Sequence, residues 1–330
     1  MSSSTFRVER LIHGGERREN NTATPTPTAV PHYPSLTTTV PKEFVHRASV
    51  AEVLLTDWER VGDLSFTVTG QLPRHHGFFA TIRGCHDPLL IAETIRQAGI
   101  LLAHAEFAVP LGHQFLMSDL SVDIAPEHLL VDTTPAGLDV EITCTDVKRR
   151  GANLAGLHFD AVIRRDQQVA ATGSATFTCA SPAVYQRLRS ASIGDGAPAA
   201  LALTGPVAPQ DVGRVSPTDV VLSPAPETDC WQLRVDTRHP ALFDHSVDHV
   251  PGMVLLEAAR QASAAFLGHP CLPVAITGEF SRYVELGARC LIEVRPLSED
   301  ASGRHRVLVT GHQNDSMPFS AVITTVPAGA

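Results

Sequence analysis

The feature that most constrains the fold is that the chain repeats itself. "VHRASVAEVLLT" (45–56) returns as "VGRVSPTDVVLS" (212–223). Arg47 aligns with Arg214, Ser49 with Ser216 and Glu52 with Asp219, and an apolar run follows each acid. "RHHGFF" (74–79) returns as "RHPALF" (238–243). "LLIAETIRQAGILLAH" (89–104) returns as "MVLLEAARQASAAFLG" (253–268), with Glu-x-x-Arg-Gln as the shared core. The three matches keep their order, and their offset changes by only three residues. One match would be noise; three in order are an internal duplication. Two copies are too few to stack as a solenoid, so two similar domains packed as a pseudo-dimer are expected.

Each half carries the same elements. A short strand surrounds "AEVLLT" or "TDVVLS", and an alternating strand follows in "LSFTVTGQL" or "CWQLRVDT". After a loop with His and Phe comes one long helix, 88–106 or 252–267, apolar on most sides and therefore buried. Further strands are expected at "VDIAPEHLLV" (122–131), "LDVEITCTDVKR", "LHFDAVIRRD" and "QVAATGSATFTC" in the first half. The second half supplies "AITGEFSRYVEL", "ARCLIEVRPL", "HRVLVTGHQ" and "FSAVITTV". An antiparallel sheet wrapped around one buried helix is an α+β arrangement. The Ser/Thr/Asn/Pro-rich segment 1–42 reads as a disordered or loosely attached arm. Domain 1 then covers 43–182, a linker 183–210 that is rich in Ala, Gly, Pro and Ser, and domain 2 covers 211–330.

The net charge of −9 excludes a general nucleic-acid binder. No apolar run is long enough for a membrane span, and the N-terminus lacks the pattern of a signal peptide. The six cysteines, Cys85, Cys144, Cys179, Cys230, Cys271 and Cys290, form no CxxC pair. A reducing, cytoplasmic setting without a metal site is expected.

This succession of elements is the pattern of the hotdog fold, twice over. "FDHSVDHVPGMVLLEAARQA" (243–262) resembles the dehydratase motif of hotdog fatty-acid enzymes. It resembles more closely the A-factor biosynthesis family, the double-hotdog synthases of γ-butyrolactone-type signals. "VHRASVAEVLLTDW", "QLPRHHGFF" and "DPLLIAETIRQAGILLAHAEFAVPLGHQF" fit that family too, so the resemblance covers about residues 44–326. It implies transfer of a β-ketoacyl chain from acyl carrier protein or coenzyme A to the hydroxyl of dihydroxyacetone phosphate, with no cofactor. The ester would then cyclise and be reduced to a signalling lactone, butenolide or furan. A hotdog dehydratase or thioesterase, or a non-catalytic acyl-binding regulator, stands as the alternative. No nucleic acid and no membrane are expected as partners, and a homodimer is left open.

Acyl transfer to an alcohol needs a donor for the developing oxyanion, a base for the hydroxyl proton and a hold on the acceptor. Gly252 stands at the expected start of the second helix, where a bare N–H and the helix's positive end can face a carbonyl oxygen. Its first-half counterpart is Pro88, which has no N–H. Glu93 and Glu257 sit inside apolar helices and must be paired or protonated, which makes them catalytic candidates. Arg96 and Arg260, one turn on, can pair with those acids or fork a phosphate. Gln97 and Gln261 can bond a thioester or hydroxyl, or satisfy buried backbone. His245 is the candidate base, with His249 and His76 as substrate contacts. A zinc reading of His245-x-x-x-His249 lacks a third ligand. In hotdog dimers of the dehydratase kind the site is shared between subunits. A fused pair should therefore bring Glu93 to the His245–Gly252 loop and turn Glu257 toward the loop at His75 and His76, with one dominant site.

Overall fold

The duplication becomes two antiparallel half-sheets joined along one seam. The structure, a computed structural model, describes residues 37–193, 200–269, 271–299 and 302–327. The first half runs β1 (Leu55–Arg60), β2 (Ser65–Leu72), α1 (Pro88–Ala105), β3 (Gln114–Ile124), β4 (Ala136–Arg150), β5 (Asn153–Arg165) and β6 (Gln168–Ala180). Helix α2 (Pro182–Ile193) follows. The second half runs β7 (Leu222–Pro224), β8 (Cys230–Leu233), α3 (Gly252–Leu267), β9 (Cys271–Phe280), β10 (Leu291–Leu297), β11 (His305–Gln313) and β12 (Ser316–Pro327). The sheet order is β1-β2-β4-β5-β6-β3-β9-β12-β11-β10-β8-β7, which reads as the same order reflected about the β3–β9 seam. The seam is antiparallel, with Leu120 opposite Gly278 and Val122 opposite Ile276. Each half thus covers the other's open sheet edge. This is the expected double hotdog.

Strand burial alternates strictly where one face meets a helix, as in β4 from Ala136 to Cys144. The helices are buried almost all round. Among the 18 residues of α1 only Arg96 and Ala105 escape burial. Gly99 is required there, because a Cβ would lie 2.6 Å from the Phe159 ring and 3.2 Å from that of Phe177. Helix α3 ends on Gly268 at φ 67°, whose N–H bonds to the Ala264 carbonyl at 3.0 Å.

Several boundaries differ from expectation; the strand expected at 275–286 is Cys271–Phe280, and three others matter for the site. The strand expected at 122–131 is Gln114–Ile124, followed by a 3-10 turn at Pro126–His128. Pro126 ends the pairing, while 114–124 gains partners on both sides, β6 and β9, that only the folded chain provides. The expected arm 1–42 lies outside the described residues up to 36. The packed body begins at Thr38, and the Val40 N–H bonds to the Leu55 carbonyl at 3.0 Å. The expected linker 183–210 opens with most of α2, whose Arg189 is fully buried. Further along it, Val207 N–H bonds to the Leu222 carbonyl at 3.0 Å. Its small, polar composition reads as loose chain, but Tyr185 and Arg189, four apart on one helix face, anchor it.

Candidate active site

One cavity of about 320 Å³ lies between the halves, bounded on one side by Arg47 and Arg96 and on the other by 241–245, 249–253, Leu255 and Leu256. Apolar side chains, Phe115, Leu120, Leu255, Leu256 and Phe280 among them, make up much of its wall. Residues of both halves therefore line it, but Glu93, which was expected at the His245–Gly252 loop, does not; its partners Arg47 and Arg96 do. The loop holding His245 docks on the first half through Asp244, whose carboxylate accepts the Ala48 N–H at 2.6 Å and the Ser49 N–H at 3.1 Å.

Glu93 stands behind this cavity as the hub of a guanidinium fork. Its Oε1 accepts from Arg47 Nε at 3.0 Å, Arg96 Nη2 at 2.7 Å and Gln97 Nε2 at 2.7 Å, and its Oε2 from Arg96 Nε at 2.8 Å. Burial alone would raise this carboxyl, but Arg47 and Arg96 override it and hold it at about 2. A carboxylate so stabilised is a weak base. The geometry makes Glu93 a holder of two cations, one of which, Arg96, is 19% exposed at its side chain and reaches the cavity. Gln97 also accepts the Leu54 N–H at 3.0 Å and donates to the Glu52 carbonyl at 2.8 Å, which ties helix to loop.

The second half repeats the fork but buries it. Glu257 accepts from Arg214 Nε at 2.9 Å, from Arg260 Nε at 2.9 Å and from Gln261 Nε2. Against the penalty of burial, Arg214 and Arg260 hold this carboxyl at about 2 as well. Arg260 is only 4% exposed and does not line the cavity, nor do Glu257 and Gln261. Glu257, expected as catalytic, and Arg260 and Gln261, expected as substrate-binding, thus stand outside the lining of this cavity. Like Glu93's partner Arg47, Arg214 crosses to the other half, donating to the Phe78 carbonyl at 2.6 Å. Glu257 is thus linked to the first-half loop at Phe78 only through Arg214.

The placement of Phe78 against Arg214 follows from a one-residue register. His76 Nδ1 accepts the Phe78 and Phe79 N–H groups, both at 3.1 Å, and its Nε2 lies 3.3 Å from Glu52. His239 Nδ1 accepts the Ala241 and Leu242 N–H groups at 3.3 and 3.1 Å, and its Nε2 lies 3.4 Å from Asp219. Structure therefore pairs His76, not His75, with His239, and Phe78 with Ala241. The Phe78 ring lies 4.1 Å from the Arg214 guanidinium, whereas its counterpart Ala241 lines the cavity. His76, expected as a substrate contact, braces this loop and does not line the cavity.

The remaining candidates line the open cavity. Gly252 is the first residue of α3, and Pro251 before it offers no side-chain cap. Its N–H is one of the first-turn donors that no helix can satisfy internally. Helix α1 instead starts at Pro88, and the Asp87 carboxylate caps the Leu89 N–H at 2.9 Å. His245 is 47% exposed, 3.5 Å from Asp244. His249 bonds to Asp248 at 2.7 Å. Two of the cavity residues not selected from sequence stand beside the fork. Arg47 was legible only as a member of the repeat. His46, whose Nε2 lies 2.9 Å from His104 Nε2, left no signal; burial and then His104 lower its pKa to about 3.

The sequence model of a family described as "A-factor biosynthesis hotdog domain" matches residues 28–181 and 197–310. A 2-oxo-3-(phosphooxy)propyl 3-oxoalkanoate synthase of Streptomyces virginiae is 51% identical over 291 residues, 88% of this chain and 98% of the relative. Relatives of the same name are 43% identical in Streptomyces coelicolor, over 86% of this chain and 91% of theirs, and 40% identical in Streptomyces griseus, over 86% and 94%.

Proposed function

We propose that this chain, which belongs to the A-factor biosynthesis hotdog family, joins a 3-oxoacyl chain to the hydroxyl of dihydroxyacetone phosphate. The product is the 2-oxo-3-(phosphooxy)propyl 3-oxoalkanoate for which its relatives are named. The observation that carries this reading is the Arg47–Arg96 fork at the rim of an otherwise largely apolar cavity. A thioesterase or dehydratase has no phosphorylated acceptor to hold there. The acyl chain lies among the apolar side chains, its thioester carbonyl oxygen faces the Gly252 N–H, and Arg96 with Arg47 binds the phosphate. Glu93 and Gln97 position that fork, and His245 borders the acceptor. The setting proposed is the cytoplasm, since all six cysteines are free thiols. No described helix is long and apolar enough to cross a membrane.

Purified protein incubated with a 3-oxoacyl thioester and dihydroxyacetone phosphate should yield the ester by mass spectrometry. Parallel runs with acyl carrier protein and coenzyme A thioesters identify the donor, and light scattering tests for a homodimer. No ester from either donor would refute the reading. Two variants sharpen it. Arg96→Ala should raise KM for the phosphate acceptor on the order of 10- to 100-fold, the worth of about 1.5–3 kcal/mol for a charged hydrogen bond. KM for the thioester should hardly move, and Arg96→Lys should recover part of the loss. Equal losses for both substrates would count against a phosphate role. Ala241→Phe should give the cavity a ring like that of Phe78, abolishing transfer while the thermal melt shows a folded protein; retained activity would show that the cavity at Ala241 is not the site.

A further inference from the structure

His245 was the base expected from sequence, but its ring is half-exposed and its neighbour Asp244 is already engaged by two backbone N–H groups. The other side of the same loop is built differently. Asp248 Oδ1 lies 2.7 Å from His249 Nδ1 and also accepts the Tyr185 hydroxyl at 2.6 Å. Asp248 Oδ2 accepts Arg189 Nε at 3.0 Å. Arg189 is itself clamped by Glu285 through bonds of 2.6 and 2.7 Å and lies 4.3 Å above the Tyr283 ring. Tyr185 and Arg189 both come from α2, the helix inside the expected linker. A carboxylate accepts and does not donate, so His249 Nδ1 carries the hydrogen and the lone pair resides on Nε2. His249 lines the cavity with a side chain 25% exposed, and its Nε2 makes no hydrogen bond to any described residue.

We propose that His249 is the proton acceptor of the acyl transfer, and that Asp248, held by Tyr185 and Arg189 of α2, is the residue that positions it. The inference rests on the acyl-transfer reading above. His249 precedes Gly252 by three residues, so base and oxyanion donor approach the same carbonyl from one loop. Nε2 takes the proton of the acceptor hydroxyl as its oxygen forms the C–O bond to the thioester carbonyl carbon. The tetrahedral adduct's negative oxygen faces the Gly252 N–H. The adduct collapses, the C–S bond breaks with its electron pair on sulfur, and the Nε2–H proton passes to that thiolate. Nothing is oxidised or reduced, and His249 ends neutral. Burial lowers the His249 pKa although Asp248 opposes it, which keeps the ring neutral at neutral pH. Burial would raise the Asp248 carboxyl, but Tyr185, His249 and Arg189 hold it at about 2. The charged and titratable groups facing the ring are thus Asp248, Arg189, Glu285, Tyr185 and Tyr283.

Two measurements test this. Proton–nitrogen correlation spectra of histidine-labelled protein, assigned by the signal missing in His249→Gln, should show the Nδ1–H tautomer at neutral pH. An Nε2–H tautomer would overturn the proposal whether or not ester is formed. In the transfer assay, His249→Gln should cost about 10²- to 10⁴-fold in kcat, the usual worth of a general base, with the acid limb of the pH profile lost. Asp248→Asn should cost less and shift that limb. Thermal melts check folding, and a His249→Gln protein within twofold of an active wild type would also overturn it. Wild-type protein that makes no ester refutes the functional reading instead, and the tautomer then decides the dyad.

Discussion

Gly252→Pro is expected to lower acyl transfer by about 10²- to 10³-fold, the measured worth of one oxyanion donor, in a protein that still folds. Proline suits the first position of a helix, since no intrahelical bond is lost there. The preceding residue is ready for it: Pro251 has ψ 145°, the extended conformation that proline's ring demands of its neighbour. The sister helix α1 already starts in this way at Pro88. The substitution therefore converts the second half's helix start into that of the first, deleting one N–H. It also adds a Cβ, which would approach the Phe280 ring at 3.3 Å. Gly252→Ala brings the same Cβ and keeps the N–H, so it isolates the donor. A several-fold loss for Ala beside two or more decades for Pro supports the oxyanion role. Equal losses for both would assign the effect to crowding of Phe280.

The second large effect concerns stability. Glu257→Gln should destabilise the fold by about 3–5 kcal/mol, the usual result of breaking a buried ion pair from one side. Glu257 is fully buried and Arg214 and Arg260 nearly so, and both cations would lose the carboxylate to which they are hydrogen-bonded. Glu93→Gln should cost distinctly less, because the cavity lets water reach Arg96. Its effect should appear in acceptor KM, with the pH profile unchanged. Loss of a pH limb in Glu93→Gln would restore Glu93 as a general base. Both carboxyls lie at about 2, below their ordinary 4.5. A depressed carboxyl stabilises fully above its unfolded value and loses that contribution as pH falls through the folded one. Acid unfolding should therefore set in below about pH 4.5, more gently in Glu257→Gln, and circular dichroism against pH reads it.

Local pattern in the chain already carried much of the architecture. Apolar periodicity marked two buried helices, and ordered repeats marked two like halves. The Glu-x-x-Arg-Gln cores marked two places where buried charge had to be balanced. Gly252 against Pro88 already signalled that the helix starts differ. Only folding decided which loop brings a ring to its fork. That choice turns on whether His75 or His76 matches His239, and a hydrogen-bonding partner 24 residues upstream, Glu52, makes it His76. The shift sets Phe78 against Ala241, a ring against a methyl. The same holds for α2, whose Tyr185 and Arg189 acquire meaning only beside Asp248, about 60 residues on. Periodicity reports which face of an element is apolar. It does not report which distant side chain will occupy the space opposite, and in this protein Phe78 takes that space beside Arg214, while Ala241 lines the cavity beside Arg47.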